Sequence, residues 1–571
     1  MNLRSVMPTY ILSVIQLVVF PILPSSALDV VSHLTNALAI VHTPSAPRPT
    51  VFTSEYRHVG SGVSAEPARW RESQPPQTCD ATLKAPALAR LNMCFWGLMS
   101  AATGMFELKF RGPVWGGKGK YMAIRMHTNH FVVSISPPSC DFLFHPGLTD
   151  STDKMGAVDR LQQISSQVSG SKSAKERLLI KSPDDIVVTA CLRTAFTKGG
   201  KGGFKDTAAA DLMAGALKGL IERSKIDPAL VEDVCVGEVL APGGGATEMR
   251  AAALVAGFPE STAVRTLNRQ CSSGLQACVD VANQIKTGMI EIGIGAGVES
   301  MSTQYGPAAV SEFSELLESH PESANCKVPM GVLSEQMAAD RNIKRADQDA
   351  FAASSYQKAA KAQEAGLFDE EIHPLTVKYE DPKSGETKTI TVAKDDGVRP
   401  GVTKESLGKM KGAFAQGGSI HAGNASQISD GAAAVLMMKR STAEKLGQTI
   451  LGKYVAASIV GVKPLLMGIG PWKAIPKVFE KAGITKDDVD IFEINEAFAS
   501  QCLWCANELG LDYEKINPKG GAIAFGHPLG CTGARQVSTL LYELRRRGEK
   551  VGVTSMCIGT GMGMAAVWVA E

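Results

Sequence analysis

From residue 155 to the end of the 571-residue chain, short apolar runs alternate with amphipathic stretches. A chain patterned this way can bury its apolar faces as a sheet covered by helices. Val187-Val188-Thr189-Ala190 reads as a short strand. Thr207–Arg223 reads as a helix with Leu212, Ala216, Leu217 and Leu220 on one face. Val234–Val239 is the next strand, followed by the glycine loop Pro242-Gly243-Gly244-Gly245. Between about Met301 and Ala422 charged helices lengthen, and Leu375–Val392 reads as an exposed hairpin around Ser384-Gly385. This region is an insertion in the first α/β unit. Alternation returns at Ala432–Met438 and runs to the C-terminus. The expected fold class is α/β.

The chain also repeats itself. Thr266–Thr287 reads as a strand, an Asn, a sharp turn and a helix, through Leu267-Asn268-Arg269-Gln270-Cys271. Ile491–Gly510 has the same layout through Ile494-Asn495-Glu496-Ala497-Phe498. Each is followed by a strand entering a turn rich in Gly, Ser and Met, Ile292–Met301 in one case and Val551–Gly563 in the other. Two such units packed together would bring their strand-to-helix turns to a shared centre.

Residues 1–154 follow none of this. They hold about half of the chain's 29 prolines, in clusters without sustained periodicity, which argues for loops or disorder. Met1–Leu23 has the form of a secretory signal, with Arg4, the apolar stretch Tyr10–Leu23 and then Ser25-Ser26-Ala27. Ser13, Gln16 and Pro21 interrupt it, and it is too short for a membrane span. Cys79, Cys94 and Cys140 are an odd set without metal spacing. The stretch reads as a non-core extension, poorly ordered or a mis-predicted start, with the working protein beginning near Met155. The rival reading is a true leader and an exported domain. The chain as a whole is long enough for about three to four domains. With 59 Lys and Arg against 57 Asp and Glu, it is neither a strongly basic nucleic-acid binder nor an acidic solvating chain.

Four places could carry chemistry. Cys271 follows a strand and opens the helix Ser272–Lys286, where free N–H groups and the dipole favour a thiolate; the plainer reading is a buried structural thiol. His527 ends the apolar run Ala522-Ile523-Ala524-Phe525, read as a strand, in a turn bracketed by Gly526 and Gly530. Such a turn can hold a general base rigidly, or simply let the ring bond its own backbone. Cys557 precedes Ile558-Gly559-Thr560-Gly561, whose glycines let a substrate approach closely. A phosphate loop is excluded there, since no Walker lysine and no crossover helix follow. Asn495-Glu496 stands at a strand-to-helix turn, where an amide can orient a water, contribute to an oxyanion hole or cap the helix. Cys502 and Cys505 have redox spacing but fall inside a helix, and read as packing thiols. No cluster has metal-ligand spacing, so no metal is expected.

Taken together, Asn268–Gly274, Asn495–Ala499, Gly526-His527-Pro528-Leu529-Gly530 and Cys557–Gly561 resemble the motifs of the thiolase family, in its order. Gly297-Val298-Glu299-Ser300-Met301 and Ala422-Gly423-Asn424-Ala425-Ser426 fit the same pattern. The resemblance covers about 180–571. It looks most like the peroxisomal 3-ketoacyl-CoA thiolases of fungi, through Val328–Gly331, Gly423–Asp430 and Met467–Pro471; Pro329 stands where short-chain members tend to have a His.

The resemblance implies two similar α/β halves forming a five-layered α-β-α-β-α core, with a loop domain inserted in the first. The implied segments are 155–180 as targeting segment and linker, 181–300 and 423–440 as the first half, 301–422 as the inserted loop domain and 441–571 as the second half. It implies thiolytic cleavage of 3-ketoacyl-CoA by CoA in fatty-acid β-oxidation. Cys271 would be the nucleophile, His527 its base, Cys557 the second acid and base, and Asn495 the holder of a water. The Gly559 N–H would stabilise an oxyanion, with Ser426 and Met330 near the pantetheine. CoA is a co-substrate, with no permanently bound cofactor, and the protein is expected as a homodimer in the peroxisome, with mitochondrion or cytosol as alternatives. Arg160-Leu161, five residues and then Gln167-Val168 fit the family's N-terminal import address for a peroxisomal receptor, although Val168 departs from its usual Leu or Ala. A condensing acetoacetyl-CoA thiolase would use the same residues. A ketosynthase would need a second His where Cys557 stands, and the complete residue set argues against a non-catalytic binding protein.

Overall fold

A computed structural model describes residues 172–306 and 312–571, together with two strands, β1 (Met105–Phe110) and β2 (Met122–His127). The chain divides into two units, Met1–Thr149 and Asp150–Glu571. In the first unit, β1 and β2 pair antiparallel from Met105↔His127 to Phe110↔Met122. This ladder departs from the expectation of loops alone, because Phe106, Leu108, Ile124 and Met126 give alternation too short to stand out among prolines. The leader, the start at Met155, the address Arg160–Val168 and Cys79, Cys94 and Cys140 lie outside the described residues. No described helix is long and apolar enough to cross a membrane.

The second unit holds β3 (Ile186–Arg193), β4 (Thr197–Lys198), helix α1 (Ala209–Ser224), β5 (Asp233–Gly237), α2 (Ala246–Ala256), β6 (Ala263–Leu267), α3 (Ser273–Lys286) and β7 (Ile292–Ser300). The insertion follows, with α4 (Met330–Asp340), α5 (Arg345–Glu364) and the hairpin β8 (Leu375–Glu380) to β9 (Thr387–Val392). Then β10 (Ser429–Lys439) returns to the first sheet. The second half is β11 (Gly452–Gly461), α6 (Gly470–Ala482), β12 (Ile491–Ile494), α7 (Ala499–Leu509), α8 (Thr532–Arg547), β13 (Val551–Ile558) and β14 (Met562–Ala570).

The strand order is β6-β5-β7-β10-β3 in the first half and β12-β13-β14-β11 in the second, joined where Val188 faces Gly452. In each half the first strand lies antiparallel to the last, the last antiparallel to its predecessor, and that strand parallel to an earlier one. The repeat is therefore real, but its register differs from the sequence expectation. β12 answers to β5, α7 to α2, and α8 to α3. The counterpart of β6 is the single bridge of Ile516 to Phe492, too short to read as a strand. Matching Asn268 to Asn495 slipped the repeat by one strand and helix.

Helices α1 and α2 cover the outer face of the first sheet, α6 and α7 that of the second, and α3 and α8 lie between the sheets. These are the five layers. Strands β3 and β7 are buried along their whole length, because both faces are covered. Helix α8 is buried from Thr532 to Leu544, as a central helix must be. The central helices start in close contact. A Cβ on Gly274 would lie 2.6 Å from Gly530 O, and one on Gly533 would lie 2.1 Å from Leu275 N. Gly297 of β7 has the same constraint, with 2.2 Å to Gly530 O. These glycines press the turn before α3 against the turn before α8.

A buried ionic cluster ties the insertion to both halves. Glu371 accepts from Arg193 Nε at 2.6 Å and Lys519 Nζ at 2.7 Å, and Asp395 takes the other face of the Arg193 guanidinium.

Candidate active site

The turn after β6 aims Cys271. Asn268 Oδ1 accepts the Gln270 N–H at 2.8 Å, and Asn268 Nδ2 donates to Val239 O at 3.0 Å. Gln270 sits in the left-handed region at φ 49°, a strained conformation for a residue with a side chain. Ser273 Oγ fixes the turn by accepting from Arg269 N–H at 2.9 Å and donating to Gln270 O at 2.7 Å. Cys271 projects just ahead of α3 and is only 3% exposed. Burial pushes its thiol up to about 11; a hydrogen bond from the Gly559 backbone N–H pulls the other way. The helix N-terminus was expected to favour a thiolate, and here desolvation outweighs it. The resting group is a thiol and needs a base.

His527 follows Gly526, whose φ of 116° and Cβ position, 2.1 Å from Ser429 Oγ, admit glycine alone. The run Ala522–Phe525 is one helical turn rather than the expected strand. Four buried apolar residues do not distinguish the two by periodicity, and the Ile523 N–H is drawn to Glu496 Oε2 at 3.2 Å. The His527 N–H donates to Gln427 O, so the ring is free of its own backbone. Its Nδ1 lies 2.6 Å from Thr532 Oγ1, which donates its hydrogen to Pro528 O at 2.9 Å. Nδ1 therefore carries the proton, and Nε2 presents a lone pair. Burial, helped by Arg535, pushes the imidazole down to about 3, so it rests neutral.

Asn495 ends β12, and its Nδ2 donates to His527 Nε2 at 3.2 Å. Its Oδ1 is buried without a partner, an acceptor left for a water or substrate group. The neighbouring Glu496 accepts from Ser355 Oγ at 2.6 Å and Asn517 Nδ2 at 2.8 Å, holding this turn and that of His527 together.

Cys557 lies in β13, before the tight turn to β14 in which Thr560 and Gly561 both have positive φ. Burial pushes its thiol well above the ordinary range. No helix follows this glycine turn, in keeping with the exclusion of a phosphate loop. Cys557 packs in an apolar cluster with Leu333, Ile420, Ala425, Met467, Ala497 and Phe498. Met330 Sδ is 3.6 Å from where a Cβ on Gly559 would stand, which puts it beside the Cys271–Gly559 contact. Ser426 N–H donates to Ala497 O at 3.0 Å, beside the Asn495 turn. The structure thus brings Cys271, Gly559, Met330 and Cys557 together, and Asn495, His527 and Ser426 together. Cys502 and Cys505 are buried in α7, with the Cys505 thiol on Gly468 O at 3.3 Å.

Two positioning groups escaped the sequence reading. Thr532 sets the His527 tautomer. Glu299, inside the apolar β7, accepts N–H bonds from Val239, Leu240 and Gly530 and so clamps the turn after His527. Burial pushes its carboxyl up to about 8, and those N–H groups oppose the shift. A carboxylate in an otherwise apolar strand must find such donors, and that was the available signal. Among the described residues no group of three or more His, Cys, Asp or Glu is arranged to hold a metal.

Residues 186–441 match the thiolase N-terminal domain and 448–570 the thiolase C-terminal domain. The peroxisomal 3-ketoacyl-CoA thiolase of Yarrowia lipolytica is 59% identical over 415 residues, covering 72% of this chain and 100% of that protein. Peroxisomal 3-ketoacyl-CoA thiolase A of Rattus norvegicus is 49% identical over 433 residues, 74% of this chain and 99% of the rat protein. Among solved structures, the dimeric peroxisomal thiolase of Saccharomyces cerevisiae superposes with a TM-score of 0.65 at 50% identity, over 69% of this chain and 100% of that one. Human mitochondrial 3-ketoacyl-CoA thiolase in complex with CoA gives 0.61 at 35% identity, over 68% and 98%. The doubled topology, the two cysteines facing across the halves and these matches over both domains have one account: the chain belongs to the thiolase family.

Proposed function

We infer that the protein is a peroxisomal acyltransferase that cleaves 3-ketoacyl-CoA with CoA, giving acetyl-CoA and an acyl-CoA two carbons shorter in fatty-acid β-oxidation. The observation that carries this reading is that the Cys557 hairpin of one half meets the Cys271 turn of the other: a Cβ on Gly559 would stand 3.7 Å from Gln270 Oε1, next to Cys271, and 3.6 Å from Met330 Sδ.

In the reaction, Cys271 gives its proton to His527 Nε2 and its sulfur attacks the 3-keto carbon. Donors at the site stabilise the resulting oxyanion, with Asn495 orienting a water. The bond between C2 and C3 breaks; its electron pair leaves as the acetyl-CoA enolate and Cys557 protonates the carbon. The product is acetyl-CoA, and the acyl group remains as a thioester on Cys271. The Cys557 thiolate then takes the proton of incoming CoA, whose sulfur attacks the thioester, with Gly559 N–H on the oxyanion. Cys271 leaves and recovers its proton from His527. His527 thus returns its proton to Cys271, and the proton that Cys557 gave to acetyl-CoA is replaced by the one it takes from CoA. CoA is the co-substrate and no cofactor is held permanently; Met330 and Ser426 line the pantetheine path. The working form is a homodimer, and Arg160–Val168 is its import address.

Purified protein incubated with a 3-ketoacyl-CoA and CoA should form acetyl-CoA and the shortened acyl-CoA in equal amounts, read by mass spectrometry. No CoA-dependent cleavage across a range of chain lengths would refute the reading.

A further inference from the structure

The turn that leads to Ser426 is held by a second buried histidine for which the reaction has no use. His421 and Asp349 are both buried, and His421 Nε2 lies 2.8 Å from Asp349 Oδ1. The Gly423 N–H donates to His421 Nδ1 at 3.0 Å, so the neutral ring carries its hydrogen on Nε2 and gives it to Asp349. The same Asp349 oxygen accepts Asn424 Nδ2 at 3.0 Å, and its other oxygen accepts Arg345 Nε at 2.7 Å. Asn424 Oδ1 accepts the His421 N–H at 2.8 Å. Beyond the turn, Asn424 O accepts the Ala499 N–H at 2.9 Å, Ala425 bridges Phe498, and Ser426 N–H reaches Ala497 O. Helix α5 of the insertion is thereby bonded, through one turn, to the Asn495–Ala499 segment of the second half.

We propose that His421 and Asp349 are positioning residues for the thioester substrate, locking the His421–Ser426 turn at the width between the insertion and the Asn495–Ala499 segment that CoA substrates need. The proposal rests on reading this site as a CoA-thioester site. It assigns the pair to binding rather than to proton transfer, since among the described residues its polar partners are each other, Gly423, Asn424 and Arg345, all in the turn or in α5. It also makes the turn sensitive to acid. Protonation of Nδ1 would turn the acceptor of Gly423 N–H into a donor and break the turn's internal bond. Burial holds His421 below the ordinary imidazole range, with Asp349 opposing that shift. The charged groups facing it are Asp349 and Arg345 from α5; Glu335 of α4 holds the adjacent Ser419 and Ile420 N–H groups.

The test is steady-state thiolysis by wild type, His421→Gln and His421→Asn, with thermal unfolding measured alongside. Gln places an amide near the Nε2 position and keeps the Asp349 bond; Asn places one near Nδ1 and keeps only the Gly423 bond. His421→Asn should raise the KM for 3-ketoacyl-CoA about tenfold with kcat within about twofold, and His421→Gln should raise it less. Wild-type KM should climb as pH falls below the ordinary imidazole pKa of about 6.5, and the climb should vanish in both variants. If His421→Asn does not fold, His421→Gln and the wild-type profile decide the matter. Unchanged KM in folded variants, a fall in kcat alone, or a KM profile shared with wild type would each overturn the proposal. Wild-type protein without any thiolysis would instead overturn the reading of the site.

Discussion

Thr532 Oγ1 stands 2.6 Å from His527 Nδ1 and gives its own hydrogen to Pro528 O, which leaves His527 Nε2 as the basic nitrogen of the site. The tautomer is thus set five residues beyond the base, at the first residue of a central helix. Thr532→Val keeps the shape and removes the acceptor. The Nδ1 hydrogen is then left without an acceptor, the ring loses the contact that fixes its orientation, and only the Asn495 amide on Nε2 still opposes the other tautomer. We expect kcat to fall about a hundredfold, the low end of what a positioned base contributes. Thr532→Ser should recover most of it. Steady-state thiolysis by the two variants checks this; wild-type turnover in Thr532→Val would show that the bond is incidental.

The two cysteines should separate cleanly. Cys271→Ala has no sulfur to acylate, so incubation with an acyl-CoA should leave its intact mass unchanged. Cys557→Ala retains the nucleophile and its base and should still gain one acyl group. It should nonetheless cleave 3-ketoacyl-CoA at least a thousandfold more slowly, because nothing protonates the departing enolate. Acylation of Cys271→Ala, or normal cleavage by Cys557→Ala, would reverse the assignment.

Where the turns of the site fall was legible before any geometry, and the reason is local. Cys271, His527, Cys557 and Asn495 each sit at a sharp turn announced by its own neighbours, Ser272-Ser273-Gly274, Gly526 and Gly530, Gly559 and Gly561, or the end of an apolar strand. Their helpers were not legible because the contacts that define them span the chain. Glu299 meets Gly530 across 231 residues, and Asp349 meets His421 across 72. No periodicity records such pairs. The same limit explains the slipped repeat: an Asn at a strand end is visible in sequence, whereas the one-residue bridge at Ile516 exists only through its partner Phe492. Burial is the other hidden quantity. A helix N-terminus is visible at Cys271, but the full enclosure that keeps it a thiol is not.

The cluster around Glu371 offers a stability test remote from the chemistry. Burial alone would raise this carboxyl, but Lys519 and Arg193 hold it down at about 2. Both cations are themselves buried; removing the carboxylate leaves Arg193 to Asp395 alone and leaves Lys519 without its ion-pair partner in the interior. Glu371→Ala should lose about 3–5 kcal/mol in denaturant unfolding. The kcat of the folded fraction should hold near wild type, since Glu371 touches neither cysteine turn. A loss below about 1 kcal/mol would mean that water reaches and solvates the cluster.

The buried base also sets a sign for the response to acid. Ordinary imidazole titrates near 6.5, and in the folded protein His527 is held down to about 3. Above pH of about 6.5 the ring is neutral in both states, and its titration contributes nothing. Between about 6.5 and about 3 the unfolded chain binds a proton that the folded one refuses, so unfolding is favoured increasingly as pH falls. The slope from this one group approaches 1.4 kcal/mol per pH unit once the unfolded ring is fully charged. Buried acids shifted upward, Glu299 to about 8 and Glu493 to about 7, act in the opposite sense, since the folded state holds their protons longer. Total stability against pH therefore mixes signs, and only a difference isolates His527. His527→Gln removes the titrating ring and leaves those carboxyls in place. Subtracting its denaturant stability from that of wild type should give a difference that is flat above about pH 7. Towards about pH 5 that difference should fall by roughly 1–2 kcal/mol, wild type being the one that loses. A flat difference over that range would mean that the folded protein protonates His527 as readily as the unfolded chain does. The neutral resting state of His527 would then be wrong.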